Sequence, residues 1–167
     1  NGWGVISTDY LAFENLLSVD ANHSVAIIGG GGTARAAIGS LNSKVNTVDV
    51  LLRNSARMQA MSKAAPDIKV NRCEMATSLD SYDLIIQTTP SGAYDQYAAN
   101  LKSTTGMLLE CLYKPWPTPL ATRFAELGGT VISGKELLVE QALFQIELFT
   151  QMKFDFAKMR QALLAHI

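Results

Sequence analysis

The chain has 167 residues, 48% of them hydrophobic and 17% charged, with 14 Lys and Arg against 15 Asp and Glu. A chain of this length buries roughly 70% of the surface its unfolded form exposes, enough for one compact domain without covalent or metal staples. The formal net charge of −1 supplies no cationic excess for phosphate neutralisation, so nucleic acid is not an expected partner. There is no apolar run of about 18 residues and no charged segment leading into an apolar one. No membrane partner is therefore expected, and the expected compartment is the cytoplasm. Cys73 and Cys111 are far apart and fit reduced thiols rather than a disulfide framework. His23 and His166 are too widely separated to suggest a ligand set, and no metal is expected.

In chain order, residues 10–17 predict a helix, and Ser24–Ile28 is a short β-rich run that leads through Gly29–Gly32 into an Ala-rich helix over 33–41. Strands are expected at 47–52, 68–71, 82–87, 106–110 and 130–133. Helices are expected at 56–63 and at 120–127, the latter announced by Pro117 and Pro119. Residues 137–149 and 154–164 predict two closing helices rich in Phe144, Phe149, Phe154, Phe156 and Met159. They either pack on the sheet or meet a domain outside the chain, and exposed apolar surface there would encourage self-association.

Strands that alternate with helices, and that are continuously apolar, predict an α/β fold: a doubly wound, mainly parallel sheet with helices on both faces. The expected unit is a single Rossmann-like domain over 1–167, flanked by terminal helical segments at 1–19 and 135–167.

Gly29, Gly31 and Ala34 fit G-x-G-x-x-G/A after a strand and before a helix. The first glycine makes the tight turn, the second lets a pyrophosphate approach, and the third small residue seats helix on strand. Gly32 and Thr33 open the helix, where unpaired N–H groups and a positive dipole end suit a phosphate. The plain alternative is a glycine-rich turn with no ligand. About 20 residues further on, NAD-binding proteins place an acid against the ribose 2′-hydroxyl; here the residue is Arg53. With Asn54, Ser55 and Arg57 it offers a guanidinium fork and donors for a 2′-phosphate, which selects NADP, unless Arg53 is simply a solvated side chain. Thr88, Thr89, Pro90 and Ser91 end a strand on the side where open sheets bind ligands.

Five ordered stretches resemble the shikimate dehydrogenase family. Ser7-Thr8-Asp9 is similar to its N-T-D, and Gly29–Ala36 to G-A-G-G-x-x-R-A. Residues Asp83–Gly92 are similar to D-L-I-I-N-A-T-P-x-G. Tyr113-Lys114-Pro115 with Thr118-Pro119-Leu120 resembles Y-x-P with T-P-L, and Gly134–Gln141 resembles G-x-x-M-L-x-x-Q. The run Pro115–Ala121 is most similar to actinobacterial members. Departures are Ser7 for asparagine, Arg53-Asn54-Ser55 where N-R-T is usual, Gln87-Thr88 for N-A, and Leu137 for methionine.

The resemblance implies NADP-dependent interconversion of 3-dehydroshikimate and shikimate, with this chain corresponding to the cofactor domain. It implies that Asp9 is catalytic, that Tyr113 and Gln141 contact substrate, and that Gly134 and Leu137 lie beside the nicotinamide. From the residues alone, Ser7, Thr8 or Asp9 could equally cap the helix that follows. The family's substrate domain, with its lysine motif N-V-T-x-P-x-K, is expected to be absent, because no such motif occurs in these residues. The 167 residues alone are then expected to be inactive. A quinate-using relative, another two-domain dehydrogenase and a non-catalytic nucleotide-binding module remain the alternatives.

Overall fold

The computed structural model describes residues 4–167; the first three residues of the expected 1–19 segment lie outside them. The order of elements is α1 (Thr8–Leu16), β1 (Val25–Ile28), α2 (Gly32–Ser40), β2 (Thr47–Leu51), α3 (Met58–Ala64), β3 (Lys69–Cys73), β4 (Leu84–Gln87), α4 (Asp95–Ala98), β5 (Met107–Glu110), α5 (Pro119–Glu126), β6 (Thr130–Ile132), α6 (Gly134–Thr150) and α7 (Phe156–Leu164).

The six strands form one parallel sheet in the order β3-β2-β1-β4-β5-β6. β1 and β4 are buried at every position because helices cover both faces. Val25, Ile27, Val48, Val50 and Ile86 point into a core closed by Phe13 of α1, Ile38 of α2, Met61 of α3 and Leu137 of α6. Ala26, Ile28, Leu51, Ile85 and Leu108 point the other way, against Tyr94, Leu101 and Phe124. The expectation of continuously buried strands fails at the two edges. β3 has no fully buried residue and β6 none either, since each has a strand on one side only.

Several boundaries shift for local reasons. β3 runs on to Cys73 because its backbone pairs with β2 as far as Leu51, whatever the polarity of Asn71 and Arg72. The helix expected at 56–63 begins as a 3-10 turn, Ser55–Arg57, capped by the Asn54 side chain. α6 starts at Gly134, where Ser133 and Glu136 form a reciprocal capping box. α4, a four-residue helix, was not anticipated.

α1 and α6 meet the expectation of packing on the sheet, and α7 packs on α6. α1 and α6 pack against each other, and Phe13 and Leu137 join the sheet's core. α7 contributes no buried residue and packs on α6, where Phe144 and Phe156 meet edge to face with centroids 5.2 Å apart. The tie between them is polar. Glu140 on α6 is fully buried and accepts two bonds from the Arg160 guanidinium of α7, at 2.7 and 2.9 Å, and a third from Asn15 Nδ2 of α1.

Candidate functional site

Strand order reverses between β1 and β4, and a crevice opens outside their carboxyl ends, as the geometry of open parallel sheets requires. The backbone leaves β1 through Gly29 at φ +110°, which a side chain rarely tolerates, and a Cβ there would stand 2.4 Å from Thr88 Oγ1. Thr88 itself holds the two strand ends together, since both its amide and its hydroxyl donate to the Ile28 carbonyl, at 2.9 and 2.7 Å. The next loop residue is fixed by buried Gln87, whose Oε1 accepts from the Thr89 amide and hydroxyl.

α2 then begins at the crevice with Gly31 as its N-cap and no side-chain cap, whereas Ser7, Thr118, Ser133 and Asp155 cap α1, α5, α6 and α7. Its first-turn amides have no acceptor within the helix, so the N-terminus offers donors and a positive dipole end to an anion.

The cavity is about 390 Å³. One wall is the turn Gly29–Thr33; a second is the exit of β4, Thr88–Pro90; a third is the exit of β2, with Arg53, Asn54 and Arg57. Arg57 reaches back across the turn and its Nη1 donates to the Gly30 carbonyl at 3.4 Å. Among the described residues neither Arg53 nor Arg57 has a carboxylate within ion-pair distance, so both guanidinium charges are available to a ligand.

Of the expected cofactor set, Gly29, Gly31, Gly32, Thr33, Arg53, Asn54, Arg57, Thr88, Thr89 and Pro90 line one cavity, while Gly134 and Leu137 lie outside its lining. Ala34 is fully buried behind it, where its small size seats α2 on the sheet. Ser55 and Ser91 are exposed outside the lining. Sequence reasoning missed Gly30, Leu51, Leu52 and Met75, which complete the walls. The run of four glycines could have flagged Gly30; nothing in the β3–β4 connection marks Met75.

A second group gathers where the start of α1 meets the middle of α6. Ser7 is the cap of α1, accepting from the Tyr10 amide, which leaves Asp9 in the first turn without a capping role. The Thr8 hydroxyl donates to Gln141 Oε1 at 3.3 Å, and Gln145 Nε2 donates to the same oxygen at 2.7 Å. Gln141 Nε2 donates to the Leu138 carbonyl. Since that carbonyl can only accept, the Gln141 amide is held one way round. Gln145 was not anticipated.

Gly134 packs on the exit of β5, where a Cβ would fall 2.5 Å from the Leu112 carbonyl, so its small size is needed for packing there. Leu137 is nearly buried, in the core. Burial, then the charges of Glu110 and Asp9, push the Cys111 thiol far up, so it stays protonated and unreactive. Tyr113 is exposed beside it.

Fold and crevice together define a doubly wound α/β domain of the dinucleotide-binding type. A family model described as Shikimate 5′-dehydrogenase C-terminal domain matches residues 134–164. A shikimate dehydrogenase (NADP(+)) of Synechococcus sp. strain JA-2-3B'a(2-13) is 32% identical over 164 residues, covering 89% of this chain and 57% of the relative. The crystal structure of Mycobacterium tuberculosis shikimate dehydrogenase matches with a TM-score of 0.83 at 31% identity, over 95% of this chain and 62% of that one. A shikimate 5-dehydrogenase from Mycobacterium fortuitum matches with a TM-score of 0.77, also at 31% identity, over 93% of this chain and 60% of that one. The chain belongs to the shikimate dehydrogenase family and corresponds to its C-terminal domain. It spans less than two thirds of the length of these relatives. Among the described residues, no helix is long and apolar enough to cross a membrane.

Proposed function

We propose that this chain is the NADP-binding part of a shikimate dehydrogenase, carrying the cofactor side of the cleft and a share of the substrate contacts. The observation that carries this reading is the uncapped N-terminus of α2 at the strand-order reversal, flanked by two arginines without carboxylate partners. These residues fit the group. Gly29 and Gly30 let the turn pack against Thr88 and Leu52, where a Cβ would clash, and Gly31 and Gly32 have no side-chain or backbone atom closer than 3.8 Å to a Cβ position. The α2 amides suit a diphosphate, and Arg53 with Asn54 suits a 2′-phosphate. An acid at position 53 would instead repel that phosphate.

NADPH held there would supply the hydride for reduction of a carbonyl such as that of 3-dehydroshikimate. The residues of this chain orient and protonate. Thr88 and Thr89 shape the crevice at the end of β4. Gln141, held by Thr8 and Gln145, presents hydrogen-bonding groups of fixed orientation to a polyhydroxylated ring, and Tyr113 borders it. The alkoxide left by reduction needs a proton, a task worth roughly 10²- to 10⁴-fold in rate. Asp9 is the group assigned to share that proton with a substrate hydroxyl, a reading supported by its place in the first turn of α1 without a capping role. The family's lysine motif does not occur in these 167 residues.

Calorimetric titration of the chain is expected to show NADPH binding well ahead of NADH, with no shikimate oxidation by the isolated polypeptide. Equal affinity for the two nucleotides would overturn the cofactor assignment, and steady turnover would overturn the division of catalytic labour.

Leu148, Phe149 and Met152 remain exposed at the end of α6, a surface for association between copies or with another domain. Light scattering on concentrated protein is expected to show species larger than the monomer, reverting to monomer in Phe149→Ser. A strictly monomeric parent protein would remove this surface from consideration.

A further inference from the structure

Glu110 ends β5 with its side chain fully buried, and no role assigned so far uses it. One carboxylate oxygen accepts from the Leu112 amide at 3.1 Å, the other from the Thr118 hydroxyl at 2.9 Å. Thr118 in turn accepts from the Ala121 amide as the N-cap of α5. The five residues between these anchors, Tyr113 to Pro117, make no hydrogen bond to any described residue and are all exposed. The loop is therefore fastened at its two ends by one side chain and is otherwise free of polar ties. Its start also leans on α6, through the close approach of Gly134 to the Leu112 carbonyl.

We propose that Glu110 is the positioning residue of this loop: its buried carboxylate joins the end of β5 to the cap of α5 and so sets where Tyr113 and Trp116 stand. For Tyr113 this rests on the reading of that ring as a substrate neighbour.

The joint is sensitive to protonation, because only the ionised carboxylate accepts from both partners at once. Burial pushes the Glu110 carboxyl up to about 7, and the bonds from Leu112 and Thr118 pull in the opposite direction without cancelling it. Asp95 on α4 adds a like charge in the same sense. Its other near neighbours are the Cys111 thiol, which also feels the charge of Asp9, Thr118 on α5, and Gln87, its register partner on β4. Because the folded-state value lies above the ordinary 4.5, Glu110 contributes stability that is fully present below 4.5 and is lost as pH rises through about 7.

Trp116 reports on the loop. The chain has two tryptophans, Trp3 and Trp116, so Trp3→Phe leaves Trp116 as the sole emitter. Its emission is expected to titrate with a midpoint near 7, and Glu110→Gln is expected to abolish that transition and hold the low-pH signal throughout. The same substitution should flatten the fall in thermal stability between pH 5 and 8. Thr118→Ser should preserve the titration and Thr118→Val should shrink its amplitude; this pair carries the test if the glutamine variant fails to fold. A parent chain with no transition, or a transition that survives in folded Glu110→Gln, overturns the proposal. In the active enzyme, Glu110→Gln is expected to raise KM for shikimate by about tenfold, the scale of one lost hydrogen bond, with NADP affinity unchanged. A Trp116 response without that rise would leave the tie standing and remove Tyr113 from the substrate site.

Discussion

Arg53→Ala is expected to weaken NADPH binding by roughly 10- to 100-fold while leaving NADH binding nearly unchanged. Hydrogen bonds to a charged group contribute about 1.5–3 kcal/mol, and each 1.4 kcal/mol is a factor of ten. Arg53 lines the cavity without a carboxylate partner, so its removal costs the fold little and the phosphate much. Exposure and salt set the lower part of that range, because the pair is screened by solvent. Arg57 should behave differently. Its Nη1 donates to the Gly30 carbonyl, so Arg57→Ala loosens the glycine turn and weakens both nucleotides. Paired titrations separate the two effects. Equal loss of NADPH and NADH in Arg53→Ala would show that the residue does not read the 2′-phosphate.

Arg160→Leu is expected to destabilise the chain by about 3 kcal/mol, since breaking a buried ion pair from one side strands the remaining charge at a cost of about 3–5 kcal/mol. Glu140 is fully buried while the Arg160 side chain is one-third exposed, which places the effect at the lower end. Against a typical total of about 5–15 kcal/mol this is a large loss, readable as a shift of the urea midpoint at constant slope. The double variant Glu140→Leu, Arg160→Leu should regain most of it, because no unpaired charge is left behind. A change under 1 kcal/mol in the single variant would mean that water, rather than Arg160, compensates Glu140.

What could be read from the sequence follows the range over which each signal acts. Apolar runs such as Val25–Ile28 and Leu84–Ile86, each followed by turn residues, marked strands because burial on both faces leaves no polar positions. The glycine turn was legible because conformation and close approach both demand glycine there. The end of β3 was not, since pairing with β2 rather than side-chain pattern extends it. The start of α6 could have been found from Ser133 and Glu136, whose spacing is a capping box. Glu140 with Arg160 and Asn15, the Gln141–Gln145 pair with Thr8, and Glu110 with Thr118 depend on helix docking or loop closure, which no local pattern encodes. The motif resemblance groups Asp9, Tyr113 and Gln141 as a substrate site; in the structure Asp9 lies in the first turn of α1, Tyr113 just beyond β5, and Gln141 within α6, bonded to Thr8.

The two border strands have a bearing on how copies of this molecule can meet. A flat, apolar margin invites strand-to-strand pairing between molecules, which natural sheets discourage with brevity and charge. β6 has three residues, and β3 displays Lys69 and Arg72 outward, with Arg72 tied to Glu74 at 3.0 Å. Two β3 margins brought together would set cation against cation. Continuous sheets across neighbours are thereby disfavoured, and contact is steered to the helical side, where the end of α6 keeps its aromatic ring in water.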